Sequence, residues 1–105
     1  MIKSNLDKIK GYVGIANRAK YVIFGADNLK GYTHKLFMVV YREDYGKTIL
    51  KIINELKEKN IPCVKLNQEE FNYITGTQNS KLFAIKNNGI SNQILNILRS
   101  EIIGG

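Results

Sequence analysis

Histidine and cysteine, the side chains most often found in nucleophilic catalysis and metal binding, each occur once in the sequence. His34 and Cys63 lie far apart in the chain, and neither has a neighbouring residue that would complete a ligand pair. Zinc sites need three or four such ligands, usually at short spacings. We therefore expect a surface or boundary position for His34, a small core position for Cys63, and no metal site.

Other candidate catalytic groups have structural explanations. The acidic pairs Glu43–Asp44 and Glu69–Glu70 stand where helices are predicted to begin, and adjacent residues of a helix do not face each other. Gly25 and Gly31 suggest a phosphate-binding loop, but that motif requires a lysine after its second glycine, and Lys30 comes before it. The sequence thus predicts neither an enzyme nor a cofactor.

The elements that must position the remaining polar residues alternate between strand-like and helix-like spacing. Strands are predicted at Tyr21–Phe24, Leu36–Tyr41, Cys63–Leu66 and Leu82–Ile85. Helices are predicted from the spacing of Leu6, Ile9, Val13 and Ala16, at Ala26–Thr33, Asp44–Asn60 and Glu69–Ile74, and after a turn at Asn88–Gly89. This alternation predicts a single α/β domain over residues 1–105, a three-layer α/β/α sandwich with a four-stranded mixed sheet.

Aromatic residues divide into two groups. Those in predicted strands, namely Phe24, Phe37, Tyr41 and Phe83, are expected in the core. Tyr21 and Tyr32 flank a basic segment, where they either pack at the core boundary or stack on nucleic-acid bases.

The charge of the chain is strongly positive and unevenly distributed. The formal net charge is +7, and residues 1–35 hold seven basic and two acidic residues. Such an excess is typical of a polyanion-binding surface. The longest apolar run, Leu36–Tyr41, is far shorter than the ~18 residues of a membrane span. A start without an apolar signal segment and a lone cysteine predict a soluble cytoplasmic protein.

Five short motifs, in order along the chain, carry a family resemblance. They are Gly14–Ala19 (GIANRA), Phe24–Asp27 (FGAD), Lys35–Val40 (KLFMVV), Asn60–Val64 (NIPCV) and Ile74–Gly76 (ITG). At this spacing the sequence resembles the bacterial members of the ribosomal L-seven-Ae/L-thirty-e family of kink-turn RNA-binding proteins, over roughly residues 4–99. The resemblance implies the α/β/α sandwich fold and RNA binding.

The resemblance also implies the positions of the RNA contacts. The main one maps to the strand-to-helix junction, with Gly25, Ala26, Asp27, Asn28, Lys30 and Gly31, and the second to a loop containing Gly76, Thr77, Gln78 and Asn79. Arg18 and Lys35 are additional candidate cations. Only Gly25 matches the family's main contact motif: Asp27 stands in place of an asparagine, Asn28 of a glutamate and Gly31 of a lysine.

Two functions of different classes follow. The first is a non-enzymatic, ribosomal-protein-like RNA-binding protein, a ribonucleoprotein component that recognises kink-turn-type structured RNA (a ribosomal or messenger RNA element) as a monomer. The alternative is a protein-interaction module on the same fold that has lost kink-turn recognition. The substitutions at Asp27, Asn28 and Gly31 favour the alternative, and the basic first third of the chain favours RNA.

Overall fold

The computed structural model describes residues 1–32, 35–76 and 79–104. Nine elements follow one another in the predicted alternation. They are α1 (Lys3–Arg18), β1 (Val22–Phe24), α2 (Ala26–Leu29), β2 (Met38–Arg42), α3 (Lys47–Glu58), β3 (Cys63–Leu66), α4 (Gln68–Thr75), β4 (Leu82–Ile85) and α5 (Asn88–Gly104).

The strands form one mixed sheet in the order β1-β4-β2-β3. The last strand of the chain, β4, is inserted between β1 and β2 and is antiparallel to both, whereas β2 and β3 are parallel. The prediction of an α/β fold with a four-stranded mixed sheet is therefore confirmed.

The core consists of two clusters of buried side chains, one on each face of the sheet. Helices α1, α4 and α5 pack on one face, and α2 and α3 on the other. Strand β2 supplies both clusters in alternation, with Met38 and Val40 on the first face and Val39 and Tyr41 on the second. A continuous apolar run is expected for a strand that is covered on both faces, and the three-layer arrangement follows from it.

The strand directions give the sheet two distinct ends. We call the end where β1 and β2 finish and β4 begins the Gly25 end, and it carries Gly25, Arg42 and Lys81. The opposite end, where β1 and β2 begin and β4 finishes, we call the Tyr21 end. Because the strands are only three to five residues long, the two ends lie roughly 10–17 Å apart.

Helix α3 is shorter than the predicted segment Asp44–Asn60. It begins only at Lys47, because the Asp44 carboxylate is held by Arg42, with 2.6 Å from Arg42 Nε to Asp44 Oδ1. It ends at Glu58, and Asn60 adopts a left-handed conformation with φ of 62°. Asparagine tolerates that conformation better than most residues.

Two other helix boundaries also differ from the predictions. Asn88–Gly89, predicted as a turn, forms the start of α5, because Asn87 Oδ1 accepts a hydrogen bond of 2.8 Å from the Ile90 N–H and so caps the helix. Helix α2, predicted to reach about Thr33, ends at Leu29, and Thr33 lies outside the described residues.

One of the four aromatic residues expected in the core is not buried. Phe83 and Tyr41 are buried and Phe24 is half-buried, but 42% of Phe37 is exposed. Phe37 precedes β2 at the Tyr21 end, where α2 is too short to cover it. Cys63 is half-buried beside the second cluster, and this burial raises the pKa of its thiol. His34 lies outside the described residues.

Candidate functional site

Gly25 forms the turn between β1 and α2. Its φ of 88° and ψ of 145° lie in a region that side-chain-bearing residues rarely adopt. The Gly25 N–H donates to the Leu82 carbonyl at 2.9 Å, which ties the turn to the start of β4. Gly25 therefore ends the strand, starts the helix and leaves a stretch of backbone without a side chain at the surface.

The short helix α2 is anchored by one residue and presents polar side chains around it. Leu29 is fully buried, whereas 94% of the Asp27 side chain and 71% of the Lys30 side chain are exposed. Asp27 and Lys30 face each other at 3.9 Å, a distance at which an exposed ion pair contributes little. Asn28 Nδ2 donates to the Phe24 carbonyl at 2.9 Å, so one of its two N–H groups is already used within the protein.

A cleft of about 440 Å³ lies directly beside this turn, and we call it the Gly25 cleft. Its walls come from the Gly25 turn, from the start of α3 and from the segment before β4: Phe24, Gly25, Ala26, Asp27, Asn28, Gly46, Lys47, Thr48, Ile49 and Ser80. Two helix N-termini thus line one cleft, although α2 and α3 are separated in the chain by the whole of β2.

The start of α3 provides hydrogen-bond donors to this cleft. Gly46 occupies the N-cap position, and the first intrahelical bond runs from the Leu50 N–H to its carbonyl at 3.1 Å. The N–H groups of Lys47, Thr48 and Ile49 consequently have no acceptor within the helix. Since no acidic residue lies in the first turn, the positive end of the helix dipole is not neutralised there.

A charge cluster accompanies the cleft at the Gly25 end. Arg42 binds Asp44 through two nitrogens at 2.6 and 2.9 Å, and Lys81 Nζ lies 3.4 Å from Asp44 Oδ2. Asn72 Oδ1 accepts a further bond from Arg42 at 3.0 Å. The hydrogen bond from Arg42 is the main reason why the pKa of Asp44 falls to about 2. One carboxylate therefore serves two cations, and the cluster carries a net positive charge.

The structure brings together only some of the residues singled out from the sequence. Gly25, Ala26, Asp27 and Asn28 line the Gly25 cleft. Lys30 and Gly31 follow just after α2, where a side chain added at Gly31 would meet open space.

Two of the additional cations lie elsewhere. Arg18 ends α1, shortly before β1 begins, and the Lys35 N–H donates to the Tyr32 carbonyl in the segment before β2. Both therefore belong to the Tyr21 end of the sheet.

The second predicted contact segment is described only in part. Gly76 follows α4 with φ of 76°, and Asn79 is exposed, whereas Thr77 and Gln78 lie outside the described residues. Gly76 lines a smaller cleft of about 210 Å³, in which Phe24 forms part of the wall. Because Phe24 also lines the Gly25 cleft, the two clefts are neighbours.

Sequence reasoning missed Arg42, Lys47 and Lys81. Arg42 is the last residue of β2, and Lys81 immediately precedes β4, far away in the sequence. The two residues meet because the strands are antiparallel neighbours, and the Arg42 N–H donates to the Lys81 carbonyl at 2.8 Å. Only the strand order places these residues together, so local spacing holds no signal for them. Lys47, in contrast, follows Gly46 at a helix start, a pattern that the sequence displays but that we assigned to the interior of a longer helix.

Neither a metal cluster nor a membrane-spanning helix occurs in the described parts of the chain. Among those residues, no three or more His, Cys, Asp and Glu side chains are grouped so that they could hold a metal ion. No helix there has the length and apolar character needed to cross a membrane.

Comparisons with known proteins identify the fold. No protein-family model matches the chain, and no curated protein matches its sequence. A Bacillus halodurans protein described as having unknown function is similar in structure, with a TM-score of 0.75 and 19% identity over 88% of this chain and 97% of that one. A 15.5kD RNA-binding protein from Giardia lamblia is similar with a TM-score of 0.65 and 16% identity, over 91% of this chain and 81% of that one. The chain therefore shares its fold with an RNA-binding protein.

Proposed function

We propose that this chain is a non-enzymatic RNA-binding protein that recognises kink-turn-type RNA through the Gly25 cleft. The observation that carries the proposal is that the starts of α2 and α3, including Lys47, line one cleft beside a glycine of positive φ. The fold of the Giardia RNA-binding protein, the family resemblance of the sequence and the net charge of +7 support it.

The phosphate groups of the RNA are the first ligand of the cleft. Backbone N–H groups at the start of a helix donate to phosphate oxygens, and the helix dipole favours the negative charge. Lys47 adds a mobile cation to the three N–H groups at the start of α3. Gly25 contributes by having no side chain, because the sugar-phosphate chain can then approach the protein backbone closely.

The exposed side chains of α2 contact the bases in this proposal. A kink-turn contains sheared G·A pairs whose guanine edges present both acceptors and donors. An ionised Asp27 only accepts hydrogen bonds, so it opposes a guanine O6 or N7 edge. Since one Asn28 N–H is engaged with the Phe24 carbonyl, the side chain retains one N–H donor and the acceptor Oδ1 toward RNA. We therefore expect weaker base contacts here than a pair of amide donors would give.

The segment Gly76–Ser80 covers the looped-out nucleotide of the kink in this proposal. Ser80 is already part of the wall of the Gly25 cleft, and Gly76 lines the neighbouring smaller cleft. A base that leaves the helix at the kink would thus lie between the two clefts, against Phe24. The protein would act as a monomer in the cytoplasm, bound to ribosomal or messenger RNA and, in the first case, associated with the ribosome.

A pair of lysine variants on one helix tests the phosphate contact. Lys47→Ala removes the amine at the cleft, whereas Lys51→Ala removes the same charge from the same exposed helix one turn further along. In fluorescence anisotropy with a labelled kink-turn RNA, Lys47→Ala should weaken binding and lower the salt slope by about one contact. Lys51→Ala should leave the salt slope close to that of the unmodified protein. Equal effects of the two variants would contradict a phosphate site at the start of α3.

A protein-interaction module on the same fold is the second candidate function. It is favoured by the internal use of one Asn28 N–H and by the exposed Asp27 carboxylate, which has no donor, so that few donors are left for bases. Under this alternative the protein binds an intact kink-turn and the same RNA with broken G·A pairs equally well.

A further inference from the structure

Three exposed aromatic side chains lie at the Tyr21 end of the sheet, away from the Gly25 cleft. The exposed fractions are 38% for Tyr21, 42% for Tyr32 and 42% for Phe37. Large aromatic residues are normally among the most buried, so such a group on one surface calls for a ligand. Neither the core nor the proposed kink-turn contact uses them.

The strand register places one of these aromatics opposite a lysine. Val22 pairs with Ile85, so the next row across β1 and β4 consists of Tyr21 and Lys86. The Lys86 N–H donates to the Tyr21 carbonyl at 2.8 Å, which continues the ladder into this row, and Phe37 lies at the same end of the sheet, where its N–H donates to the Ile85 carbonyl at 2.9 Å. Opposed residues of such a row have Cβ atoms about 5 Å apart.

Tyr21 and Lys86 point to the face of the sheet on which α2 lies. Val22 and Ile85 contact the cluster beneath α1, α4 and α5, and successive residues of a strand face opposite sides. Tyr32 reaches this face from the segment after α2, where Lys86 Nζ lies 5.0 Å from the centre of its ring. Because α2 ends at Leu29, it leaves the corner uncovered.

The charge around these rings is positive. Lys20 and Lys35 are exposed beside them, and within the described residues neither these lysines nor Lys86 takes part in an ion pair. The chain segments that form the corner contain no acidic residue, since none occurs in 8–26, 28–42 or 71–100.

We infer that Tyr21, Tyr32, Phe37 and Lys86, here called the aromatic surface, bind a single-stranded RNA segment by base stacking. Aromatic rings combined with cations are the usual means of binding single strands without sequence preference, because every base has a flat π face. The absence of acidic residues from the chain segments that carry these side chains favours a polyanion over a protein partner, whose surface would mix both charges. The inference rests on the proposed RNA binding and adds a second contact to it.

The position of the aromatic surface defines which part of an RNA it contacts. Strand β1 connects it with the Gly25 turn, and the four residue-to-residue steps from Tyr21 to Gly25 span roughly 13 Å. A single-stranded extension of an RNA that is bound in the Gly25 cleft would therefore reach the aromatic surface within a few nucleotides. The protein would bind a junction between structured and single-stranded RNA more tightly than either part alone.

The test compares two surfaces of similar make-up. Tyr73 on α4 is also exposed, at 36%, and also lies under a lysine, with Lys10 Nζ at 4.5 Å from its ring centre. It stands alone, however, and its hydroxyl donates to the Asp7 carboxylate. Tyr73→Leu is therefore the matched control for a triple variant that replaces Tyr21, Tyr32 and Phe37 by leucine, which keeps apolar area but removes stacking.

The ligands are a labelled oligouridine and a kink-turn RNA with and without a single-stranded extension, at about 0.15 M salt. The unmodified protein should bind the extended kink-turn more tightly than the plain one, and the triple variant should lose this advantage. The triple variant should also bind oligouridine at least about tenfold more weakly. Tyr73→Leu should change neither the oligouridine affinity nor the advantage of the extended kink-turn by more than about twofold.

The inference is overturned if the triple variant binds oligouridine as tightly as the unmodified protein does. If the triple variant does not fold, Tyr32→Leu takes its place in this comparison. Equal binding of the plain and extended RNAs by the unmodified protein would also overturn the inference. If oligouridine binding depends on the aromatic surface while intact and broken kink-turns bind alike, the inference stands and the proposed kink-turn recognition fails.

Discussion

Replacing Gly25 by alanine probes the turn on which the Gly25 cleft is built. A Cβ added to Gly25 would lie 3.6 Å from Ser80 Oγ and 3.9 Å from Asn28 Nδ2, both ordinary contact distances. The substitution therefore costs stability through backbone conformation and not through a clash. At φ of 88° and ψ of 145° a side-chain-bearing residue is strained by about 1–3 kcal/mol.

The loss is measured as a shift of the urea unfolding midpoint. With an m-value of about 1.5 kcal/mol/M, the midpoint of Gly25→Ala should fall by roughly 0.7–2 M while m stays constant. Gly11→Ala is the control, since Gly11 lies inside α1 with nothing within 4 Å of an added Cβ. That variant should be more stable by about 0.5–1 kcal/mol, because alanine favours the helix. An unchanged midpoint for Gly25→Ala would refute the assignment of a strained turn.

Three further predictions concern single polar groups. Ser91 Oγ is buried without a hydrogen-bond partner in the described residues. Ser91→Ala should therefore raise the free energy of unfolding by about 1 kcal/mol, which calorimetry would detect as a higher Tm. A lower Tm would contradict this. The pKa of Asp44 is lowered to about 2 by Arg42, so its stabilising effect is complete above the ordinary pKa and disappears as pH falls from about 4 toward 2. Asp44→Asn should therefore flatten the pH dependence of Tm in that range, and an unaltered slope would argue against the ion pair. In a gel-shift assay, Asp27→Asn should tighten binding of an intact kink-turn by about 1–3 kcal/mol. The gain should be smaller for the same RNA with broken G·A pairs. Weaker binding of the intact kink-turn would show that the carboxylate accepts from a base donor.

The layers of the fold were predictable because hydrophobic spacing indicates which segments form strands and helices and which faces are buried. The uninterrupted apolar run at β2 indicates burial on both faces, and its alternate residues do supply both core clusters. Helix boundaries were less predictable, since tertiary contacts override local preference. Asp44 is an acceptable first residue for a helix, yet Arg42 holds its carboxylate outside one.

The candidate site was only partly predictable, for a topological reason. Gly25 is visible in the sequence as a glycine between a strand and a polar helix. That Lys47 and Ser80 would share a cleft with it depends on the insertion of β4 between β1 and β2, which no local pattern encodes. Phe37 was predicted as a core residue from its apolar segment, but it precedes β2 at the Tyr21 end, where 42% of it is exposed.

The central claim is that the Gly25 cleft holds the structured RNA. Its most direct test is an NMR titration of the isotope-labelled protein with a kink-turn RNA, followed through the backbone amide signals. The account predicts the largest shifts at Gly25 and at Lys47, Thr48 and Ile49, whose N–H groups have no acceptor within α3. It also predicts that these shifts shrink when the G·A pairs of the RNA are broken. Shifts of equal size with both RNAs, or shifts that leave the start of α3 unaffected, would contradict it.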